Sequence, residues 1–460
     1  MRVSVITILG LLAAACVGSR RDTAAATWWL TTADQSHLLE KQPACEWTEQ
    51  PKGDAVIEVN PDSLFQTVQG FGFALTGGSA TLINNLPADQ RDRLLHELFS
   101  DEGIAISYLR VSIGASDLDD SPFSYDDLPA GQDDPELKSF SLSRDTVNLI
   151  PLLQRIVEIN PQIKIMGSPW SAPAWMKTNE STVGGSLREE YYDSYALYFV
   201  KYIESMREHG ITIDAVTLQN EPEHPGNNPS MLMTATEQAT FVRDYLGPAF
   251  KRHGTNTHIV VYDHNCDHPE YPIAILNDTT ARKYIDGSAF HLYLGEIEAL
   301  SIVHQAHPDK RIYFTEQWTS SEGDFGDDLL WHVKNLIIGA NRNWSTTVIE
   351  WNLASDPSFE PHTDGGCTMC KGALTIGESI ERNVSYYVIA HASKFVPAGS
   401  IRMHSTQLQQ VFSVGFVTTT GEQVVVLLNE GETVSQVAVR SDDRYLNLAM
   451  PGRAVATLKW

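Results

Sequence analysis

Val216-Thr217-Leu218-Gln219-Asn220-Glu221-Pro222 is a short apolar run that ends on a polar patch carrying one glutamate. The same design returns at Tyr313-Phe314-Thr315-Glu316-Gln317. β-Branched and aromatic content marks both as strands. A carboxylate at the end of a buried strand is costly unless water, a partner or a substrate meets it. Two such ends suggest two carboxylates converging on one cleft.

Working outward, these two runs are the fourth and seventh of a series. β-Rich runs fall at Val68–Phe73, Ser107–Ile113, Lys164–Met166, Ala215–Leu218, His258–Tyr262, Ser288–Leu292, Ile312–Phe314 and Thr346–Ile349. Between most of them, apolar residues recur at helical spacing: Pro87–Phe99, Leu187–His209, Thr236–Arg252 and Asp324–Ala340. Gly210 and Gly254 follow two of these stretches as stops. Repeated β–α alternation of this kind predicts an α/β fold, a (β/α)8 TIM barrel over residues 67–395. An open doubly wound sheet is disfavoured, because Gly70-Phe71-Gly72 lacks the third glycine of a phosphate-binding turn. Gly77-Gly78 is expected on a loop at the barrel mouth.

After residue 395 the pattern changes to short strands joined by turns, at Gln410–Thr418, Gln423–Leu428, Val434–Val439 and Ala454–Trp460. These are too few for a sandwich of their own. The strand-like pieces Thr27–Thr31 and Ala55–Val59 are expected to complete it, giving an appended all-β sandwich from residues 26–60 plus 396–460.

Residues 1–20 read as an export signal. Arg2 supplies a positive charge, Val3–Leu12 is mostly apolar, and Ala13-Ala14-Ala15-Cys16 resembles a bacterial lipoprotein processing site. The expected destination is the periplasm, the outer membrane or the exterior, with a lipid on Cys16 as the only membrane attachment. An ordinary cleaved signal with an incidental cysteine is the alternative. Four further cysteines remain, Cys45, Cys266, Cys367 and Cys370. Cys367-Thr368-Met369-Cys370 is read as a local disulfide rather than a redox pair or half a zinc site, because no second such pair exists. The formal net charge of −25 argues against nucleic acid and anionic lipid as partners. It leaves room for a neutral sugar.

Catalytic residues of such barrels sit at the C-terminal ends of strands. Strands four and seven lie across the barrel from each other, so Glu221 and Glu316 can face one another over a substrate. Paired carboxylates are what cleavage of a glycosidic bond requires. A lone glutamate at such a position is more often a salt bridge or a helix cap; two in matched positions are not.

The chain resembles glycoside hydrolase family 30, which includes the lysosomal glucosylceramidases and microbial β-1,6-glucanases. The resemblance spans nearly the whole mature chain. It rests on Ser107-Tyr108-Leu109-Arg110-Val111, Ala115-Ser116-Asp117, Ser168-Pro169-Trp170-Ser171-Ala172-Pro173-Ala174-Trp175-Met176-Lys177-Thr178-Asn179, Asn220-Glu221-Pro222, His291-Leu292-Tyr293, Glu316, Trp351-Asn352-Leu353-Ala354 and Ser393-Lys394-Phe395.

The resemblance implies a retaining mechanism, with Glu221 as acid/base and Glu316 as nucleophile. It implies that Asn220 holds the sugar 2-hydroxyl and that His291 and Tyr293 line the sixth strand, Tyr293 bonded to a catalytic carboxylate. It places Asp117, Trp170 and Trp351 on the sugar-binding wall. Arg110 is the cation expected to lower the pKa of Glu316, whose charge would in turn raise that of Glu221. Trp318, beside the nucleophile, adds an aromatic platform for a sugar face.

Asp263-His264-Asn265-Cys266-Asp267-His268 looks metal-like by composition, but its donors are consecutive and the mechanism needs no metal. It is expected on a mouth loop bordering the leaving group. No metal and no cofactor are expected, and the protein is expected to be a monomer. The polar stretch Glu223-His224-Pro225-Gly226-Asn227-Asn228-Pro229 favours a β-1,6-glucan or related β-glucoside over glucosylceramide. A barrel that binds carbohydrate without cleaving it is the reading of another class.

Overall fold

The computed structural model describes residues 25–460. The leader expected over residues 1–20, and Cys16 within it, lie outside the described residues. Eight parallel strands close into a barrel. They are Gly70–Ala74, Tyr108–Ser112, Lys164–Ser168, Ala215–Thr217, His258–Asn265, Ile285–His291, Arg311–Glu316 and Ser345–Asn352. Each sits on a run predicted from β-branched and aromatic content. The barrel interior is a packed layer and not a pore: Tyr108, Met166, Ala215, Val260, Ala289, Tyr313 and Ile349 form one buried cluster.

Helices form where apolar residues recur every three to four positions. Ala88–Phe99 buries Leu94, Leu95, Leu98 and Phe99, and Tyr192–Glu208 buries Tyr195, Tyr198, Phe199 and Tyr202. Gly254 ends its helix in the left-handed conformation, φ 65°. The two stretches read as single helices over Thr236–Arg252 and Asp324–Ala340 each contain a π-helical segment, Phe241–Leu246 and Val333–Ala340.

Two expectations about the mouth need correcting. Gly77-Gly78 is not a loop but the first turn of the helix Gly77–Asn84, which Thr76 caps by accepting the Ser79 N–H. Glycine is needed there for space: a Cβ on Gly77 would lie 1.8 Å from Asp119 Oδ1. Likewise Asp263-His264-Asn265 is not a loop but the last three residues of the fifth barrel strand.

Ten further strands make one sheet. Ala26–Thr32 lies between Glu40–Cys45 and Ala454–Lys459, and Ala55–Thr67 lies between Ile401–Ser405 and Ser435–Ser441. Strands from both ends of the chain therefore interleave. Ala55–Thr67 pairs antiparallel with Ile401–Ser405 through its second half and parallel with Ser435–Ser441 through its first. Ile57, Val59, Met403, Val425, Val437, Leu446 and Leu458 then share one buried cluster.

The sheet also packs against the barrel. Phe416, Val424, Val426 and Val455 belong to the same core as Phe71 and Val388. At this seam His391, fully buried on the helix Val384–Ser393, sits 2.8 Å from Thr31 Oγ1 and 2.9 Å from Thr457 Oγ1. Among the described residues no helix is long and apolar enough to cross a membrane.

Burial lowers the His391 pKa from 6.5 to about 3, so the imidazole stays neutral in the fold. The unfolded chain accepts a proton that the folded protein refuses. Stability should therefore fall as the pH drops from about 6.5 toward 3, by up to about 1.4 kcal/mol per unit. His391→Gln keeps an amide between the two threonines and removes the titration. Urea unfolding at pH 6.5 and pH 4.5 should show the wild type losing about 2 kcal/mol more than the variant; equal losses would mean His391 does not sense acid.

Candidate active site

The C-terminal ends of the barrel strands surround a buried charge, the Arg110 guanidinium. It is fully buried on the second strand, where desolvation is costly unless every donor is used. Nη1 donates to Glu316 Oε2 at 2.5 Å, and Nη2 to Asn220 Oδ1 at 2.7 Å and Asp263 Oδ2 at 2.8 Å. Nε donates to Ser168 Oγ at 3.1 Å. One side chain thus links the second, third, fifth and seventh strands with the loop after the fourth.

Glu316 ends the seventh strand with both oxygens occupied, since Oε1 accepts from the Tyr293 hydroxyl at 2.8 Å. Glu221 lies four residues beyond the end of the fourth strand. Its backbone is left-handed, φ 47°, a strained conformation for a residue with a Cβ and one that concentrates at functional sites. The Glu221 N–H donates to the Asp263 carbonyl at 3.0 Å, which fixes that turn. Its Oε2 accepts from Asn227 Nδ2 at 3.2 Å.

His291 stands between the two glutamates. It is fully buried at the end of the sixth strand, with Nδ1 3.5 Å from Glu221 Oε1 and 3.7 Å from Glu316 Oε1. One donor atom from each of these three residues falls within 4.8 Å of the others. One oxygen of each carboxylate therefore lies within 4.8 Å of the other, closer than the roughly 6.5 Å or more needed to seat a water between them. The trio is also the one set of three or more donors among the described residues compact enough to hold a metal. The Arg110 charge on Glu316 opposes a cation there.

The pocket above holds about 380 Å³. Asp117, Asn220, Glu221, Tyr293 and Glu316 supply its polar lining, and Trp318 and Trp351 its aromatic faces. Trp170 also reaches it but is only 2% exposed, stacked on Trp351 at 5.3 Å with Arg110 4.8 Å from its ring. Arg110 and His291 lie beneath this lining. Sequence reasoning named all of these residues. It missed His224 and Asn227 as lining residues, and Cys367 and Cys370, whose disulfide forms part of the wall.

That disulfide closes a strap linking the mouth loops. Thr363 N–H and Cys367 N–H donate to the Asp117 carbonyl and carboxylate, at 2.9 and 3.3 Å, and Ser321 N–H donates to the Met369 carbonyl. Thr363 Oγ1 and Asn228 Nδ2 fasten the strap to the loop after the fourth strand. Burial, with the Glu316 charge nearby, raises the Asp117 pKa to about 7.

The electrostatics differ from the simple expectation that Arg110 lowers Glu316 and Glu316 raises Glu221. Burial is the largest influence on Glu316 and pushes its pKa up, against His291 and Arg110. At Glu221 burial also pushes up, but the His291 side chain outweighs it and the pKa falls. The imidazole itself, despite burial, is raised to about 9 by Glu316, Asp263 and Glu221. A second cation, invisible in the spacing of the motifs, therefore serves both carboxylates.

The stretch Asp263–His268 divides. Asp263 is fully buried in the network, while His264 and His268 face Glu223 at 3.9 and 2.9 Å.

A family model described as the glycosyl hydrolase family 30 TIM-barrel domain matches residues 68–396, and the family 30 β-sandwich domain matches residues 399–458. An endo-1,6-β-D-glucanase of Aspergillus fumigatus is 32% identical over an alignment of 492 positions, covering 99% of each chain. A Caenorhabditis elegans protein named as a candidate glucosylceramidase is 29% identical over 467 positions, covering 93% of this chain and 87% of its own. A solved endo-β-1,6-glucanase structure superposes with a TM-score of 0.90 at 34% identity, covering 95% of this chain and 99% of that one.

Removing the Arg110 charge should leave Asp263 and Glu316 buried without it. Arg110→Met should cost about 3–5 kcal/mol of stability at pH 7. Protonating the two carboxylates removes the uncompensated charge, so the deficit should shrink toward pH 4. Denaturant midpoints of both forms at the two pH values measure this; a deficit independent of pH would mean packing, not charge, is what Arg110 contributes.

Proposed function

The chain belongs to glycosyl hydrolase family 30, and on that footing we propose that it cleaves β-1,6-glucan with retention of configuration, Glu316 acting as nucleophile and Glu221 as acid/base. The observation that carries the reading is the short approach of the two carboxylates at the ends of opposed strands, both reaching one pocket. In the first step Glu316 attacks the anomeric carbon, while Glu221 gives its proton to the leaving oxygen. A glycosyl ester on Glu316 results. In the second step Glu221 takes a proton from water, which attacks the same carbon and releases the sugar.

Both Glu316 oxygens are taken by donors, Arg110 and Tyr293, which suits a carboxylate that must attack ionised. Glu221, held low by His291 in the empty site, has only one weak donor on its other oxygen, which leaves room for the proton that a bound sugar favours by shutting out water and bringing the leaving oxygen against it. Asn220, held by Arg110, is suited to the sugar 2-hydroxyl. Trp318 and Trp351 suit the C–H face of glucose, and Asp117 its hydroxyls. The polar mouth residues His224 and Asn227 favour a sugar over a lipid as leaving group. The similarity to endo-1,6-β-glucanases along almost the whole chain supports the same substrate.

Export rests on the leader at residues 1–20, with lipid attachment at Cys16 as its lipoprotein form. The site is completed by one chain, in keeping with a monomer.

Product analysis tests the substrate: glucose or gentio-oligosaccharides should appear from β-1,6-glucan, with no release of ceramide from glucosylceramide. The reverse outcome would replace the polysaccharide with the lipid. Glu316→Gln should lose turnover altogether. Glu221→Ala should keep the first step on aryl β-glucosides with excellent leaving groups, and azide should rescue it as a β-glycosyl azide. An α-azide would exchange the two roles.

A further inference from the structure

Asp263 takes no part in the mechanism above, yet it is the most heavily bonded carboxylate of the site. Its Oδ2 accepts from Arg110 Nη2 at 2.8 Å, Thr217 Oγ1 at 2.7 Å and Ser168 Oγ at 3.2 Å. Its Oδ1 meets His291 Nε2 at 3.1 Å and accepts from Thr315 Oγ1 at 2.7 Å. Two irregularities of the barrel make this possible. Ala289 pairs with Tyr262 and Phe290 with His264, so the fifth strand carries Asp263 as an extra residue. Tyr262 and Asp263, at this bulge, both have positive φ, 73° and 68°. In the neighbouring pair Phe290 lies opposite Phe314 and His291 opposite Glu316, which skips Thr315. The two shifts bring Asp263, His291 and Thr315 together beneath the glutamates. Strained backbone on a central strand is stabilised here by five side-chain partners.

We propose that Asp263 is a positioning residue of the reaction: it holds the His291 Nε2 proton, so that Nδ1 is the nitrogen presented to Glu221 and Glu316, and it aims Arg110 at Glu316 from the other side. The inference rests on the reading of those two glutamates as acid/base and nucleophile. A histidine has two ring nitrogens, and the bond at one fixes what the other does. With Nε2 directed at a carboxylate, Nδ1 is left to gain or lose the proton that faces the pair. Asp263 also keeps the ring charged. Though burial opposes it, Arg110 and His291 hold the Asp263 pKa far below the usual carboxylate range, so it is an anion at any working pH. His291 is in turn held up to about 9.

The groups facing His291 come from every neighbouring element. Glu221 approaches from the loop after the fourth strand, Asp263 and His264 from the fifth, Tyr293 from beyond the sixth, and Glu316 from the seventh. Glu221, Asp263 and Glu316 favour the charged ring. The His264 ring is 6.3 Å away and is itself lowered to about 4 by burial, so it adds no competing charge near neutrality.

Asp263→Asn keeps the shape and removes the charge. His291 should then become neutral at the working pH, and both glutamates lose a cation, so both pKa values rise. The pH profile of kcat/KM on an aryl β-glucoside should shift as a whole to higher pH, with its maximum lowered by about 10- to 100-fold. An unmoved profile, whether or not its height falls, overturns the proposal. The second measurement needs no variant at the aspartate. In ¹⁵N-histidine-labelled wild type, with the His291 signals identified by their loss in His291→Gln, Nε2 should remain protonated across pH 5–9 while Nδ1 titrates. A ring protonated at Nδ1 and bare at Nε2 would overturn it. Glu316→Gln assayed on the same substrate separates the two readings. Turnover there would sink the catalytic assignment; its loss, beside an unshifted Asp263→Asn profile, would sink the role of Asp263 alone.

Discussion

A guanidinium placed in the dry centre of a barrel mouth has to be neutralised where it stands, and much of this site's geometry follows from that constraint. Arg110 has no route to water, so its donors must be met by side chains of other strands and of the loop after the fourth. Asp263 and Glu316 supply the charge, and Asn220 and Ser168 the remaining acceptors. The arrangement holds two carboxylates and one arginine in a fixed frame before any substrate arrives. Preorganisation of this kind costs the empty protein stability and spares the reaction the reorganisation of its surroundings.

The frame depends on rigid walls. The barrel interior is filled, and the outer face of the barrel shares its core with a sheet built from both ends of the chain. Above the strands, the strap from Thr363 to Cys370 ties the Asp117 loop to the loop after the fourth strand and closes the pocket wall with a disulfide. Local strain is confined to the mouth, at Glu221, Tyr262 and Asp263, where neighbouring bonds over-determine the backbone.

What could be read from the sequence was whatever the chain repeats or keeps contiguous. All eight barrel strands were legible as β-rich runs, because a strand buried on both faces has to be apolar along its length. Glu221 and Glu316 stood out because each ends such a run. What escaped depended on register. Asp263 belongs to a polar stretch that looks like a loop, and only the bulge against the sixth strand turns it into the barrel. The charge on His291 escaped as well, because it comes from three carboxylates far apart in the chain. Gly77-Gly78 reads as a loop in the sequence because glycine usually marks one. Here they make room for Asp119 and the Leu118 carbonyl beside a helix start.

Retention at this site requires a covalent bond between sugar and Glu316, and trapping that bond is the most direct measurement of it. A 2-deoxy-2-fluoro-β-glucosyl fluoride slows both steps, and its good leaving group lets the first proceed. Intact-mass spectrometry after incubation should show one added fluoroglucosyl group, and peptide mapping should place it on Glu316. A label on another residue, or turnover with inverted product and no label, would contradict the account.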